Sequence, residues 1–307
     1  MEAAQHRTQE TVRVAAVSPQ SIRGEAEETN VQRAVDYVAE AADAGARIVV
    51  FPEGYPGPYN GPVTYSAVEP LAEAAQRHQT YVIAGMVERA EDYADEIYRL
   101  AMKLIGPTGE VLGTHHRVLP NPKEMNTFLM GGKIIAPGDR LDVLGTDLGQ
   151  VGMLVCSEAW SPELPLILAL KGADILFAPI GGAVYELYDN WKCVLKTRAF
   201  ENTVYVVTCQ NMWGMEESMA MIVGPDGVLA ESRDPGVLLA DLDLDRLQWL
   251  RSKTQDLKLP KPYRSIPGLL RHRRPDLYGQ IAAPREDLYD FWYFEHEPTG
   301  PTGDGPP

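Results

Sequence analysis

Two stretches of the chain share one rhythm. AADAGARIVVFPEG (residues 41–54) and ALKGADILFAPIGG (residues 169–182) each close a helical pattern at a glycine, then run through an apolar segment into a proline. A glycine in that position is a helix stop. An apolar run without alternation marks a strand covered on both faces. A chain that does this twice builds an α/β fold, because only strands layered under helices satisfy both signals. A second pair repeats as well: KLIGPTGEVLGT (residues 103–114) and MIVGPDGVLAES (residues 221–232) both read as hairpins. The period is too long for a solenoid. It implies two similar halves packed into one domain.

The length, 307 residues, allows one large α/β domain or two smaller ones. A net charge of -15 and a pI near 4.9 argue against nucleic acid or an anionic membrane as partner. The three cysteines, Cys156, Cys193 and Cys209, form neither a disulfide framework nor a zinc pattern. A reducing cytoplasm is therefore the expected compartment. The start, MEAAQHRTQE, lacks the apolar core of a signal peptide. No apolar run approaches the roughly 18 residues of a membrane span, so neither export nor insertion is expected.

The chemistry-bearing residues fall at the ends of these elements. VGMLVCSEAW (residues 151–160) is an apolar strand ending in Cys156, and Ser161-Pro162-Glu163 then reads as a helix start. Such an elbow exposes a nucleophile and aims backbone N–H groups at its target; a buried structural cysteine is the plainer reading. Strand 47–51 (RIVVF) runs into Glu53, at the end of a strand where open α/β sheets keep their chemistry. A solvated loop carboxylate is the alternative there. After the hairpin, Pro120 and Pro122 break regular structure and leave Arg117 and Glu124 as loop charges. The loop YPGPYNGP (residues 55–62) supplies Tyr55 and Tyr59 as pocket walls, unless it is a surface loop. Trp160, Tyr185 and Trp213 are further wall candidates, whereas Trp191 reads as core. His115 and His116 point to opposite faces of a strand and read as structural. Cys193 and Cys209 are expected to be buried and inert, and Glu201 to be a buried hydrogen-bonding residue.

Taken in order, VVFPEGYPG, THHRVLPNPKE and VGMLVCSEAWSPEL resemble segments of the nitrilase superfamily of carbon–nitrogen hydrolases. RAFEN (residues 198–202), VGPDGVLAES (223–232), LLADLDL (238–244) and RRPDLYG (273–279) support the resemblance. It spans the chain from Val12 to about Leu277. It implies a four-layer α-β-β-α sandwich, read here as one domain over residues 11–285 with an extended arm at about 250–285, and with disordered termini at 1–10 and 297–307. It further implies a homodimer or larger homo-oligomer paired through helices beside the elbow, and no metal or organic cofactor. By position, Cys156 is the nucleophile, Glu53 the general base, and Glu124 the second glutamate that steadies the cation and substrate. The Ser157 backbone N–H is part of the oxyanion hole.

One position departs from the family pattern: Arg117 stands where the catalytic lysine is expected. A guanidinium can steady an oxyanion with parallel donors, but it cannot give or take a proton. Paired with Glu53, it would depress that carboxylate and weaken it as a base. The expected activity is hydrolysis of a non-peptide C–N bond in a small amide or N-carbamoyl compound through a cysteine thioester. A nitrile substrate and acyl transfer to an amine are alternatives, as is a catalytically silent binding protein of the same fold.

Overall fold

The computed structural model describes residues 11–93, 96–121, 129–182, 187–214, 217–252 and 273–283. Two sheets face each other. The first has seven strands: β1 (Thr11–Ser18), β2 (Ile48–Val50), β3 (Tyr81–Arg89), β4 (Ile97–Ile105), β5 (Val111–His116), β6 (Ile134–Ile135) and β13 (Gly236–Asp243). The second has six: β7 (Val143–Thr146), β8 (Gly149–Met153), β9 (Ile175–Phe177), β10 (Tyr205–Thr208), β11 (Ala220–Gly224) and β12 (Gly227–Ser232).

The internal echo in the sequence has a structural counterpart. The first sheet runs β13-β1-β2-β3-β4-β5, with β6 beside β4, and the second runs β7-β8-β9-β10-β11-β12. Each begins with an antiparallel pair (β13 on β1, β7 on β8), continues with two parallel pairings, and ends in two antiparallel ones. The strand at the edge of the first sheet, β13, follows all six strands of the second sheet in sequence, so the halves are laced together.

Strand alternation sorts the core into layers. In β1, Val12, Val14 and Ala16 face the other sheet, while Ala15 and Val17 face the helices. The inter-sheet core packs Val14, Val50, Ile83 and Met102 with Met153, Phe177, Val207 and Ile222. Helices α1 (Thr29–Asp43) and α2 (Val68–His78) cover the first sheet with Ala34, Val38, Leu71 and Ala75. Helices α3 (Glu163–Leu170) and α4 (Tyr188–Asn202) cover the second with Leu168, Trp191, Leu195 and Ala199. The result is the four-layer α-β-β-α sandwich. Two further helices, α5 (Leu244–Arg251) and α6 (Gly279–Ala282), follow β13.

The two helix stops are built alike. Gly45 (φ +86°) and Gly172 (φ +102°) adopt the left-handed backbone that favours glycine, and each is followed by an N–H returning to the last turn: Ala46 to Ala41 at 2.9 Å, Ala173 to Leu168 at 3.0 Å. Both turns send the chain directly into a buried parallel strand.

A 3-10 turn, Cys156–Trp160, carries the thiol between β8 and α3, in the strand–turn–helix order read from the sequence. Other expectations change. Cys193 is exposed, because it lies about 200° around α4 from Trp191, away from the buried line of Trp191, Leu195 and Ala199. Cys209 is buried in the inter-sheet core. Glu201 is only partly covered and pairs with Arg198 at 2.6 Å. The extended arm falls almost entirely outside the described residues, as do both termini. Among the described residues, no helix is long and apolar enough to cross a membrane.

Candidate active site

Glu53, Arg117 and Cys156 converge at one rim of the sandwich, each carried there by the end of a strand. Glu53 follows β2, and its backbone carbonyl accepts the Asn211 side-chain N–H at 2.8 Å. Arg117 extends the β5 ladder by one residue: its N–H reaches Leu100 and its carbonyl takes the Gly138 N–H. Cys156 lies three residues past the end of β8, with φ +52°, and its N–H donates to the Pro179 carbonyl at 2.8 Å. A non-glycine residue held in that region costs about 1–3 kcal/mol, a strain that collects where a side chain must be aimed.

The guanidinium of Arg117 is sealed from water at 1% exposure, with Glu53 at 2%. Its Nη1 donates to Glu53 Oε1 at 2.8 Å, its Nη2 to Asn121 Oδ1 at 2.9 Å and Ser157 Oγ at 2.6 Å, and its Nε to the Leu119 carbonyl at 2.7 Å. These are charge-assisted bonds in a dry site, stronger than their neutral counterparts. Glu53 also hydrogen-bonds the Cys156 thiol and the Gly181 backbone. Gly181 is packed so closely that a Cβ there would lie 2.5 Å from Glu53 Oε2.

Electrostatics set the resting protonation. Burial raises Glu53 above the ordinary carboxylate range, and the opposing pull of Arg117 and the Cys156 hydrogen bond does not cancel it. Burial likewise pushes the Cys156 thiol up to about 12, helped by the neighbouring Glu53 charge and opposed by Arg117. Arg117 is held above its usual value: burial works against the charge, but Glu53, Cys156 and Glu158 outweigh it. The resting site is thus a neutral thiol beside a carboxylate that takes up protons readily.

Glu158 is the residue that sequence reasoning passed over. It is fully buried and accepts from the Val155 N–H at 2.7 Å, the Val118 N–H at 2.5 Å and the Leu119 N–H at 3.3 Å, and it meets His115 Nε2 at 2.8 Å. It therefore ties the elbow to the loop that follows Arg117. Burial alone would raise it, but His115, Arg117 and the Val155 bond hold it below the ordinary carboxylate range. Asn121, Asn211 and Gly181 were also passed over. Asn211 and Gly181 carry no sequence signal, since each meets Glu53 from far along the chain. Asn121 lies only four residues from Arg117, in a loop whose sequence does not show which side chain turns back to it.

Among the wall candidates, Tyr59 is fully buried beside Glu53, Arg117 and Cys156, and stacks on Trp213 with ring centroids 5.7 Å apart. Arg23 lies over the Trp213 ring at 4.7 Å. Tyr55 does not belong to this wall. It packs with Phe51 on the helix side of the first sheet, where its hydroxyl donates to the Asn30 carbonyl at 3.3 Å. Trp160 is not a wall residue either: it is 40% exposed, and its ring meets the edge of Trp191 on the helix side of the second sheet. Glu124 and Tyr185 lie outside the described residues.

A family model described as "Carbon-nitrogen hydrolase" matches residues 13–252 of this chain. The chain belongs to the carbon–nitrogen hydrolase family. Curated relatives include a deaminated glutathione amidase from Synechocystis, 30% identical over 75% of this chain and 91% of its own length. The Omega-amidase NIT2 of Homo sapiens is 27% identical over 81% of this chain and 91% of its own. Among solved structures, a carbon–nitrogen hydrolase from Helicobacter pylori G27 superposes with a TM-score of 0.72 at 19% identity, covering 90% of this chain and 99% of that one. An amidase of the nitrilase superfamily from Nesterenkonia AN1 superposes at 0.68 with 21% identity, covering 88% and 97%. These structural matches establish the nitrilase-type fold. Membership with amidase-named relatives over most of the chain makes it an amidase-type carbon–nitrogen hydrolase.

Proposed function

We propose that this hydrolase cleaves a non-peptide C–N bond in a small amide or N-carbamoyl compound through a thioester on Cys156. The observation that carries the reading is the buried Glu53 carboxylate, hydrogen-bonded at once to the Cys156 thiol and to the buried Arg117, with Cys156 itself partly open to solvent. As sulfur bonds to the carbonyl carbon, the thiol proton passes to Glu53 and the carbonyl electron pair moves onto oxygen. The pair returns, the C–N bond breaks, and Glu53 gives its proton to the departing nitrogen. A water molecule, losing a proton to the same carboxylate, then releases the acid and frees the thiol. Because Cys156 is neutral at rest, the thiolate forms only as its proton leaves for Glu53.

Arg117 takes the place of a fixed positive charge for the oxyanion, joined by the Ser157 N–H. Its Nη2 bond to Ser157 Oγ supports this role by tying the cation to the residue after the nucleophile. A rival reading has Arg117 disabling the enzyme by quenching its base. Burial outweighs the arginine in setting Glu53, and the carboxylate keeps its affinity for protons. That favours turnover. Self-association through α3 and α4 is part of the same proposal, supported by the exposed Trp160, Ile167 and Leu170 beside the elbow.

The deciding experiment measures ammonia or amine release from small amides, N-carbamoyl compounds and nitriles, with Cys156→Ala beside the wild type. The expected result is turnover of an amide or carbamoyl substrate that vanishes in the variant, with an acyl adduct on Cys156 by intact mass. Turnover that survives Cys156→Ala would overturn the reading.

A further inference from the structure

Tyr59 presents a buried hydroxyl that the Cys156–Glu53–Arg117 arrangement leaves unused. Its Oη is inaccessible to water and has no hydrogen-bond partner among the described residues. Burying a donor without an acceptor is unfavourable, so its persistence asks for a partner that arrives later.

The ring cannot easily turn away. It lies against Gly54, where a Cβ would sit 2.2 Å from Tyr59 Cδ2, it stacks on Trp213, and it is buried within the inter-sheet core. The backbone beneath it is clamped from both sides. The Glu27 carboxylate accepts the N–H groups of Tyr59, Asn60 and Gly61, each at 2.9 Å. The Lys133 ammonium donates to the carbonyls of Tyr59 at 3.2 Å and Gly61 at 2.9 Å. An anion on the donors and a cation on the acceptors fix this turn as firmly as a regular element would.

The site is also short of donors for a developing oxyanion. Arg117 has committed four N–H groups, to Leu119, Glu53, Asn121 and Ser157, which leaves one. Burial and the Glu53 charge raise the phenol well above its usual value, so it stays protonated and remains a donor across the working pH range.

We propose that the Tyr59 hydroxyl donates a hydrogen bond to the reacting oxygen of the substrate, beside the Ser157 N–H and the remaining Arg117 N–H. This rests on the thioester reading above. No proton leaves Tyr59: the thiol proton goes to Glu53, the electron pair on the carbonyl oxygen is held by the three donors, and it returns when the C–N bond breaks. A fixed donor aimed where charge develops needs no reorganisation at the moment of reaction.

Tyr59→Phe tests this, since it keeps the ring and the stack and deletes only the hydroxyl. Steady-state kinetics on an amide turned over by the wild type should show kcat lowered about 100-fold, with KM within about twofold, as for loss of one oxyanion donor. The melting temperature should hold or rise, because the hydroxyl has no partner in the resting protein. A kcat within about threefold of wild type, a loss confined to KM, or a fall in melting temperature matching the loss of rate would each overturn the proposal. Cys156→Ala, run beside it, separates the two ideas. Turnover surviving in that variant defeats the thioester reading, and the tyrosine proposal with it. An inactive Cys156→Ala with an unimpaired Tyr59→Phe defeats the tyrosine proposal alone.

Discussion

Arg117 Nη1 stands 2.8 Å from Glu53 Oε1, with both side chains closed to solvent. A pair this dry is a device for placing a base as much as a source of attraction, because desolvation offsets much of the Coulomb gain. The carboxylate is positioned beside the thiol while remaining raised in pKa.

That balance fixes the pH profile. Glu53 has to be ionised to take the thiol proton, and its folded-state pKa lies above 4.5. Activity should therefore rise with pH through that raised value, giving kcat/KM an acid limb above the ordinary carboxylate range. Arg117→Met removes the strongest influence lowering Glu53, so the limb should move to higher pH as kcat falls at least about 100-fold. Arg117→Lys keeps the charge and should leave the limb close to wild type. A limb unmoved in Arg117→Met would show that another group sets it.

Gly181 and Gly182 offer a matched pair of substitutions. A methyl at Gly181 would meet Glu53 Oε2 at 2.5 Å, whereas one at Gly182 meets nothing within 4 Å. Gly181→Ala should displace the base by a fraction of an ångström and lower kcat by about 100-fold with the fold intact. Gly182→Ala should match wild type. Equal kinetics in the two variants would mean that Glu53 moves freely without loss.

The three thiols should separate by reagent. Cys193 is exposed, Cys209 is buried, and the Cys156 thiol is pushed up to about 12. Titration of the native protein with a bulky aromatic disulfide near neutral pH should report one fast equivalent, lost in Cys193→Ser. Iodoacetamide, an amide small enough for the site, should add to Cys156 as well, at a rate that rises with pH. A fast, pH-independent Cys156 reaction between about pH 6 and 9 would mean a preformed thiolate.

Glu158 should couple acid stability to the site. Its folded-state pKa is lowered from 4.5, so its stabilising contribution is present above that value and is lost as pH falls through the lower folded one. Glu158→Gln should melt lower than wild type at neutral pH, by about 1.5–3 kcal/mol for the loss of charged hydrogen bonds. The two melting curves should converge as the solution is acidified. Parallel curves down to about pH 3 would place the stabilisation elsewhere.

What the sequence disclosed follows a physical divide. The segment before Glu53 was legible because an apolar run without alternation has few homes, and the elbow was legible because the apolar run of residues 151–155 stops abruptly at Cys156. β7 was not foreseen, since a four-residue strand with little burial leaves no period to read. Tyr55 and Tyr59 look alike in YPGPYNGP, yet one is sent to the helix side and the other to the site by the turns between them. Glu158 was opaque for a different reason: Val118 and Leu119 lie 40 and 39 positions away, and only the folded chain brings their N–H groups to it. Residues that act through their own chemistry announce themselves, and residues that act through distant backbone do not.

The lacing of the two halves has a final consequence. Glu53 and Arg117 leave the first sheet and Cys156 leaves the second, so the proposed catalytic trio stays together only while the sheets keep their lateral alignment. Each sheet could preserve its ladders through a slip of one side-chain layer, but sulfur and carboxylate would then part company. Turnover is thus a gauge of inter-sheet alignment, more demanding than any spectroscopic measure of strand content. On gentle heating or in dilute denaturant, catalysis should fade before the far-ultraviolet signal does.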